Sequence, residues 1–155
     1  MVHAFISCRL DYCNALLYGI ADGQLQRLHS VQNAAARMVT GTRRTDHITP
    51  VIQSLHWLPV RQRVTFKLET LVHKCLNSRA PVYLADDFRL AGRCGPGSRS
   101  AASLTLDIPR TTTPLEDRAF AGAGPRVWNS LPPAIHDPSL SLSIFRNLLK
   151  TYLFV

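Results

Sequence analysis

The sequence has few cysteines and no long apolar run, and each shortage excludes a class of protein. No stretch approaches the roughly 20 apolar residues that a membrane-spanning helix needs. The N-terminus also lacks the basic, apolar and small-residue regions of a secretory signal peptide. Four cysteines at irregular spacing are too few for a disulfide scaffold. We therefore expect an intracellular protein, either nuclear or cytoplasmic.

Lysine and acidic residues are also scarce, so the charge is carried mostly by arginine. The 155-residue chain has 15 Arg and 3 Lys against 10 Asp and Glu, for a net charge of +8. The planar guanidinium donates several hydrogen bonds and suits phosphate groups. This balance favours nucleic acid as a partner over acidic substrates or a membrane surface. A hydrophobic content of 46% argues against wholesale disorder.

The sequence contains no motif that specifies catalysis or metal binding. Cys8 and Cys13 lie five residues apart, whereas zinc sites need paired ligands with a second pair at matching spacing. Asp86 and Asp87 are adjacent, like the paired aspartates of two-metal polymerases, but they follow Pro81 in a helix-like context and not in a hairpin. The only other carboxylates nearby in the sequence are Glu69 and Asp107. We interpret Asp86 and Asp87 as a solvated helix end. We expect no catalytic residue, no metal and no cofactor.

Apolar residues recur at helical spacing over much of the chain, which predicts a mainly α fold. The pattern predicts a small helical bundle over residues 1–90, a flexible Gly- and Ser-rich loop over 91–103, and a tail of short elements over 104–155. Asp22 is the expected N-cap of a helix that ends at Gly41. The other predicted helices cover 3–20, 49–55, 59–77, 81–88, 116–121 and a segment from about Ser139 to the C-terminus. In the tail, 104–108 reads as a short strand, and four prolines are expected to break up the segment that follows Ala121.

Beyond these patterns, an ordered series of short motifs resembles a known family. Examples are Leu55-His56-Trp57-Leu58-Pro59 and Trp128-Asn129-Ser130-Leu131-Pro132. The full series lies at 7–19, 28–38, 47–51, 55–60, 80–84, 117–120, 125–132 and 145–154. It resembles the C-terminal portion of the reverse transcriptase polyprotein of LINE-type, non-LTR retrotransposons, of the jockey-like and chicken-repeat-like group.

The resemblance implies a thumb-like helical region over residues 1–90 and a non-catalytic chain. In that family the polymerase palm with its catalytic aspartates, and the endonuclease, lie upstream of the block that begins here at Ser7. We therefore expect a piece of a larger polyprotein that lacks polymerase activity. A thumb-like bundle grips the backbone of a template–primer duplex, which agrees with the basic composition.

The residues expected to contact phosphates are chosen by charge and by their place on the predicted helices. They are Arg37, Arg43, Arg44, Arg61, Arg63 and Lys67. The pattern leaves both RNA and DNA open as partners, and nothing in it indicates base-specific readout. Two alternatives stay open. One is a protein-interaction module, self-associating through exposed apolar helix faces; the other is an open reading frame with no selected function.

Overall fold

A computed structural model describes residues 2–88 and 105–154, and these residues are mainly helical. The prediction of a mainly α protein is therefore confirmed. The described α-helices are α1 (Val2–Asp11), α2 (Asp22–Thr40), α3 (Thr49–Ser54), α4 (Val60–Leu76), α5 (Val82–Ala85), α6 (Pro114–Arg118), α7 (Phe120–Asn129) and α8 (Leu142–Leu153), with a 3-10 helix at Asn14–Leu17. The predicted 91–103 loop lies outside the described residues. None of the described helices is long and apolar enough to cross a membrane.

The chain divides into two compact units. The first unit comprises Met1–Thr65 and Lys150–Val155, and the second comprises Phe66–Leu149. Helices α4 and α8 each contribute residues to both units. The sequence ranges 1–90, 91–103 and 104–155 stay predictions of domain organisation.

Small residues of α2 lie at the centre of one core cluster of the first unit. Ala35 and Ala36 let the helix backbone approach closely, and they are buried with Ile52 and Trp57. A second cluster joins Leu10, Leu25 and Val60. The amide of Gln32, on the same face of α2, donates from Nε2 to the Leu58 carbonyl over 2.8 Å. This bond ties α2 to the segment that leads into α4.

Local signals in the sequence predict one of three helix ends in the first unit correctly. Gly41 ends α2 in the left-handed conformation with φ of 69°, as its position predicts. The predicted helix over 3–20 is wrong, because α1 stops at Asp11 and Cys13 adopts a left-handed φ of 49° before the 3-10 helix. The N-cap prediction is also wrong. Ala21 occupies the cap, and Asp22 lies in the first helical turn.

The second unit is organised around aromatic rings. Trp128 and Phe145 have no exposed surface. The His73 ring stacks on Phe145 with 4.2 Å between centroids, and Trp128 lies 5.1 Å from the His136 ring. His73 Nε2–H donates to the Leu140 carbonyl over 3.1 Å. This bond fixes the imidazole in the core.

Helix α7 runs through a proline that was expected to break it. Pro125 is the sixth residue of the helix, so its missing N–H and its ring disturb only the first intrahelical bonds. Burial of Ala123, Val127 and Trp128 on α7 offsets that loss. The expected helix over 116–121 is replaced by two helices. The first, α6, begins with a capping box between Thr113 and Glu116.

The predicted strand over 104–108 is wrong for the residues described there, 105–108. Leu106 is buried and its backbone N–H donates to Asn129 Oδ1 over 2.8 Å. Asn129 Nδ2 donates back to the Leu106 carbonyl over 2.8 Å. The side-chain amide of Asn129 thus satisfies both backbone groups of Leu106, which forms an isolated β-bridge and not a strand. The helix expected over 81–88 shortens to α5.

Candidate nucleic-acid interface

The connection between α2 and α3 is folded around the side chain of Arg37. Its guanidinium lies in the last turn of α2 and donates from Nη1 to the Arg43 carbonyl and from Nη2 to the Asp46 carbonyl, the latter over 3.0 Å. The Asp46 carboxylate in turn accepts from the backbone N–H of Arg43 over 3.1 Å. Arg37 therefore holds the loop in one conformation, and both terminal nitrogens of its guanidinium are used in hydrogen bonds to the loop backbone.

This loop presents two arginines to solvent. Arg43 and Arg44 are both exposed. Their guanidinium groups form no hydrogen bond or ion pair with any other residue that the structure describes. Because the backbone beneath them is fixed, less conformational entropy is lost when they bind an anion. Two exposed guanidinium groups on a fixed loop suit phosphate contact.

Arg63 is a structural cation of the first unit. Its side chain is only 10% exposed, and Nη1 lies 2.9 Å from Asp11 Oδ1. Nε–H donates to the Leu58 carbonyl over 2.8 Å. The Leu58 carbonyl thus accepts from Arg63 as well as from Gln32. Replacing these bonds with a phosphate contact would expose a nearly buried group, so Arg63 is poorly placed for binding.

Arg61 is paired in a different way. It forms an ion pair with Asp22, but both side chains are largely exposed, at 61% and 84%. An exposed pair of this kind contributes about 0–1 kcal/mol. Arg61 can therefore exchange the Asp22 carboxylate for a phosphate at little cost. Lys67, in the second unit, is exposed and bonds to no other described residue through its ammonium.

The acidic residues of the first unit are all engaged. That unit has eight Lys and Arg against three Asp and no Glu. Asp11 and Asp22 bind guanidinium groups, and Asp46 accepts from a backbone N–H. The excess positive charge has no matching carboxylate in the unit, so it is available to an external polyanion.

Two ionisable side chains of the second unit are buried, which the sequence pattern did not indicate. Glu69 is 1% exposed, and burial raises the pKa of its carboxyl to about 8. Burial also lowers the pKa of His73, which is 1% exposed. Both groups are neutral at pH 7. Their position in the core places them outside any exposed binding surface.

Within residues 2–88 and 105–154, no three His, Cys, Asp or Glu side chains are close enough to hold a metal ion. Asp86 and Asp87 are exposed at the end of α5. Comparison of the chain with protein-family models, with curated proteins and with solved structures found no match.

Proposed function

We propose that this chain is a non-catalytic relative of the region that follows the palm in LINE-type reverse transcriptases, and that it binds nucleic acid through phosphates without sequence preference. The relation is supported by the eight ordered sequence blocks from Ser7 to Phe154. Detectable polymerase or nuclease activity of the isolated chain would contradict it.

One observation carries the binding proposal. All three aspartates of the first unit are already engaged, while the Arg43 and Arg44 guanidinium groups bond to no described residue on a loop that Arg37 fixes. Among the six residues selected from sequence, the contacts favour Arg43, Arg44 and Arg61 as phosphate ligands, because Arg37 and Arg63 serve the fold. Lys67, the last of the six residues, lies in the second unit, and its contact with phosphate stays a prediction.

Binding should fall steeply with salt and should depend on the α2–α3 loop. We expect the double variant Arg43→Gln/Arg44→Gln to bind a single-stranded oligonucleotide about threefold to tenfold more weakly at low salt. Its plot of log affinity against log salt should be shallower by about 1.4, since each lost phosphate contact removes about 0.7. Fluorescence anisotropy titrations at several salt concentrations measure both quantities.

The matched control removes the same charge elsewhere on the first unit. Arg9→Gln/Arg27→Gln has the same net charge as the loop variant, but both side chains lie outside the α2–α3 loop. A smaller loss of affinity in this control supports the loop as the contact. Equal losses would assign binding to overall charge, and salt-independent binding would contradict the proposal.

Self-association is a second candidate, and one surface favours it. Val31, Ala34 and Met38 lie at positions i, i+3 and i+7 of α2 and are exposed, with Val31 at 52% and Met38 at 73%. This apolar stripe would be covered in a dimer.

If the stripe mediates association, nuclease-treated protein should sediment faster as its concentration rises, and Met38→Glu should abolish the change. Gln26→Glu introduces the same charge at an exposed position of α2 outside the stripe and should leave it intact. A sedimentation coefficient that does not depend on concentration would eliminate this candidate.

A further inference from the structure

The first unit contains a cavity of about 350 Å³ between helices. Its polar lining is contributed by His29, Gln32 and Asn33 of α2, Thr49 and Gln53 of α3, and Gln62 of α4. Ile52 and the ring of Phe154 contribute apolar surface. A volume near 350 Å³ is at the lower end of the range for small-molecule sites.

The polar groups of the lining are uncharged. No Asp, Glu, Lys or Arg is among the described residues that line the cavity. Burial, together with the nearby Arg61 guanidinium, lowers the pKa of His29, so its imidazole is neutral at pH 7. A neutral lining gives no compensation for a buried ion. The cavity is therefore suited to a neutral ligand.

The amides of the lining have unused hydrogen-bonding capacity. Since a carbonyl can only accept, the bond to Leu58 fixes the Gln32 amide with Nε2 as the donor. The Oε1 atoms of Gln32 and Gln62 have no donor among the described residues, but both atoms are buried out of reach of a bound molecule. The side-chain amide of Gln53 is exposed and bonds to no other described residue, so it is the amide of the lining that is open to a ligand. A ligand with N–H groups and a flat apolar face would match an amide beside an aromatic ring. Aliphatic chains would leave this amide unpaired.

Positive charge lies close to the cavity. The Lys150 ammonium is 5.7 Å from the centroid of the Phe154 ring, which lines it. Arg44 precedes the lining residue Ile48 by four residues, a separation of at most about 14 Å for an extended chain. A ligand in the cavity that continues into a phosphate chain would lie close to the Lys150 ammonium, with the Arg44 backbone no more than about 14 Å from Ile48.

We propose that this cavity receives one unpaired nucleobase of a strand whose phosphates contact the neighbouring cations. This inference rests on the proposed function, because it assumes that a strand is bound. The base enters between the amide side chains and the Phe154 ring. The Gln53 amide pairs with the edge of the base, while its faces pack on the apolar lining.

The test separates the base from the phosphates. Binding of a short mixed-sequence single strand is compared with that of an abasic strand of equal length and charge. We expect the abasic strand to bind about tenfold more weakly, as loss of one stacked and hydrogen-bonded base predicts. Gln53→Trp, which fills the cavity from an exposed position, should reduce the affinity for the normal strand to that for the abasic strand. The affinity for the abasic strand should stay unchanged.

Gln24→Trp is the matched control, because Gln24 is exposed on α2 outside the cavity. It should leave both affinities unchanged. Phe154→Ala, near the end of the chain, is a second variant that should also lower the affinity for the normal strand only. Equal binding of normal and abasic strands would overturn the base site and leave phosphate binding intact. Absence of binding to either strand at low salt would overturn the proposed function itself.

Discussion

Glu69→Gln is expected to stabilise the second unit at alkaline pH and to have little effect near pH 5. Burial raises the pKa of the carboxyl from 4.5 to about 8 in the folded chain. Between these values the unfolded chain has lost the proton while the folded chain keeps it, so stability falls as pH rises. Above about pH 8 the loss is complete and amounts to on the order of 4 kcal/mol. Glutamine has almost the same shape and no charge, so it removes this penalty.

The measurement is urea unfolding at about pH 5 and pH 9, followed by the fluorescence of Trp128 in a Trp57→Phe background. Glu116, the other glutamate, is the matched control. It is exposed, and hydrogen bonds from Thr112 lower the pKa of its carboxyl. Glu116→Gln should therefore give no gain at pH 9. An equal effect of Glu69→Gln at both pH values would show that Glu69 is not a neutral buried acid.

Sequence patterns locate the helices that have local signals. Helices α2 and α4 follow their apolar spacing, Gly41 ends the first of them, and Pro50 lies in the first turn of α3. Sequence patterns do not predict the structure where a contact between residues far apart in the chain determines it. Pro125 is accommodated in α7 because its neighbours are buried, and Leu106 is paired by the amide of Asn129, which is 23 residues away.

In the candidate site, too, local features could be predicted from the sequence and distant contacts could not. Residue type and charge are enough to select arginines as phosphate ligands, but not to show which of them the fold already uses. Arg63 and Asp11 are 52 residues apart, and Arg61 and Asp22 are 39 apart. No local pattern connects such pairs. The cavity could not be predicted from the sequence either, because the amides that line it lie on three separate helices.

Gly122→Ala and Gly124→Ala should destabilise the second unit, although alanine is the better helix former. A Cβ atom at Gly122 would lie 2.7 Å from the backbone oxygen of Glu116, and one at Gly124 would lie 2.7 Å from Cε1 of Phe88. The Phe88 ring packs edge-on against Phe120 with 5.0 Å between centroids, so it cannot turn away freely. We expect each substitution to cost about 1–3 kcal/mol, which outweighs the gain in helix propensity.

Gly23 provides the control, because it lies in α2 and a Cβ there would meet nothing within 4 Å. Gly23→Ala should stabilise the first unit by about 0.4–1 kcal/mol, because alanine loses less backbone entropy than glycine on folding. Urea unfolding is followed by Trp57 fluorescence in a Trp128→Phe background for Gly23→Ala, and by Trp128 fluorescence in a Trp57→Phe background for the other two. Each unit is then measured by its own buried tryptophan. The sign of the effect is decisive: if all three variants gain stability, the close packing of α7 is wrong. A gain in stability for Gly23→Ala together with a loss for Gly122→Ala and Gly124→Ala would show that the contacts of α7 leave no room for a side chain at Gly122 or Gly124.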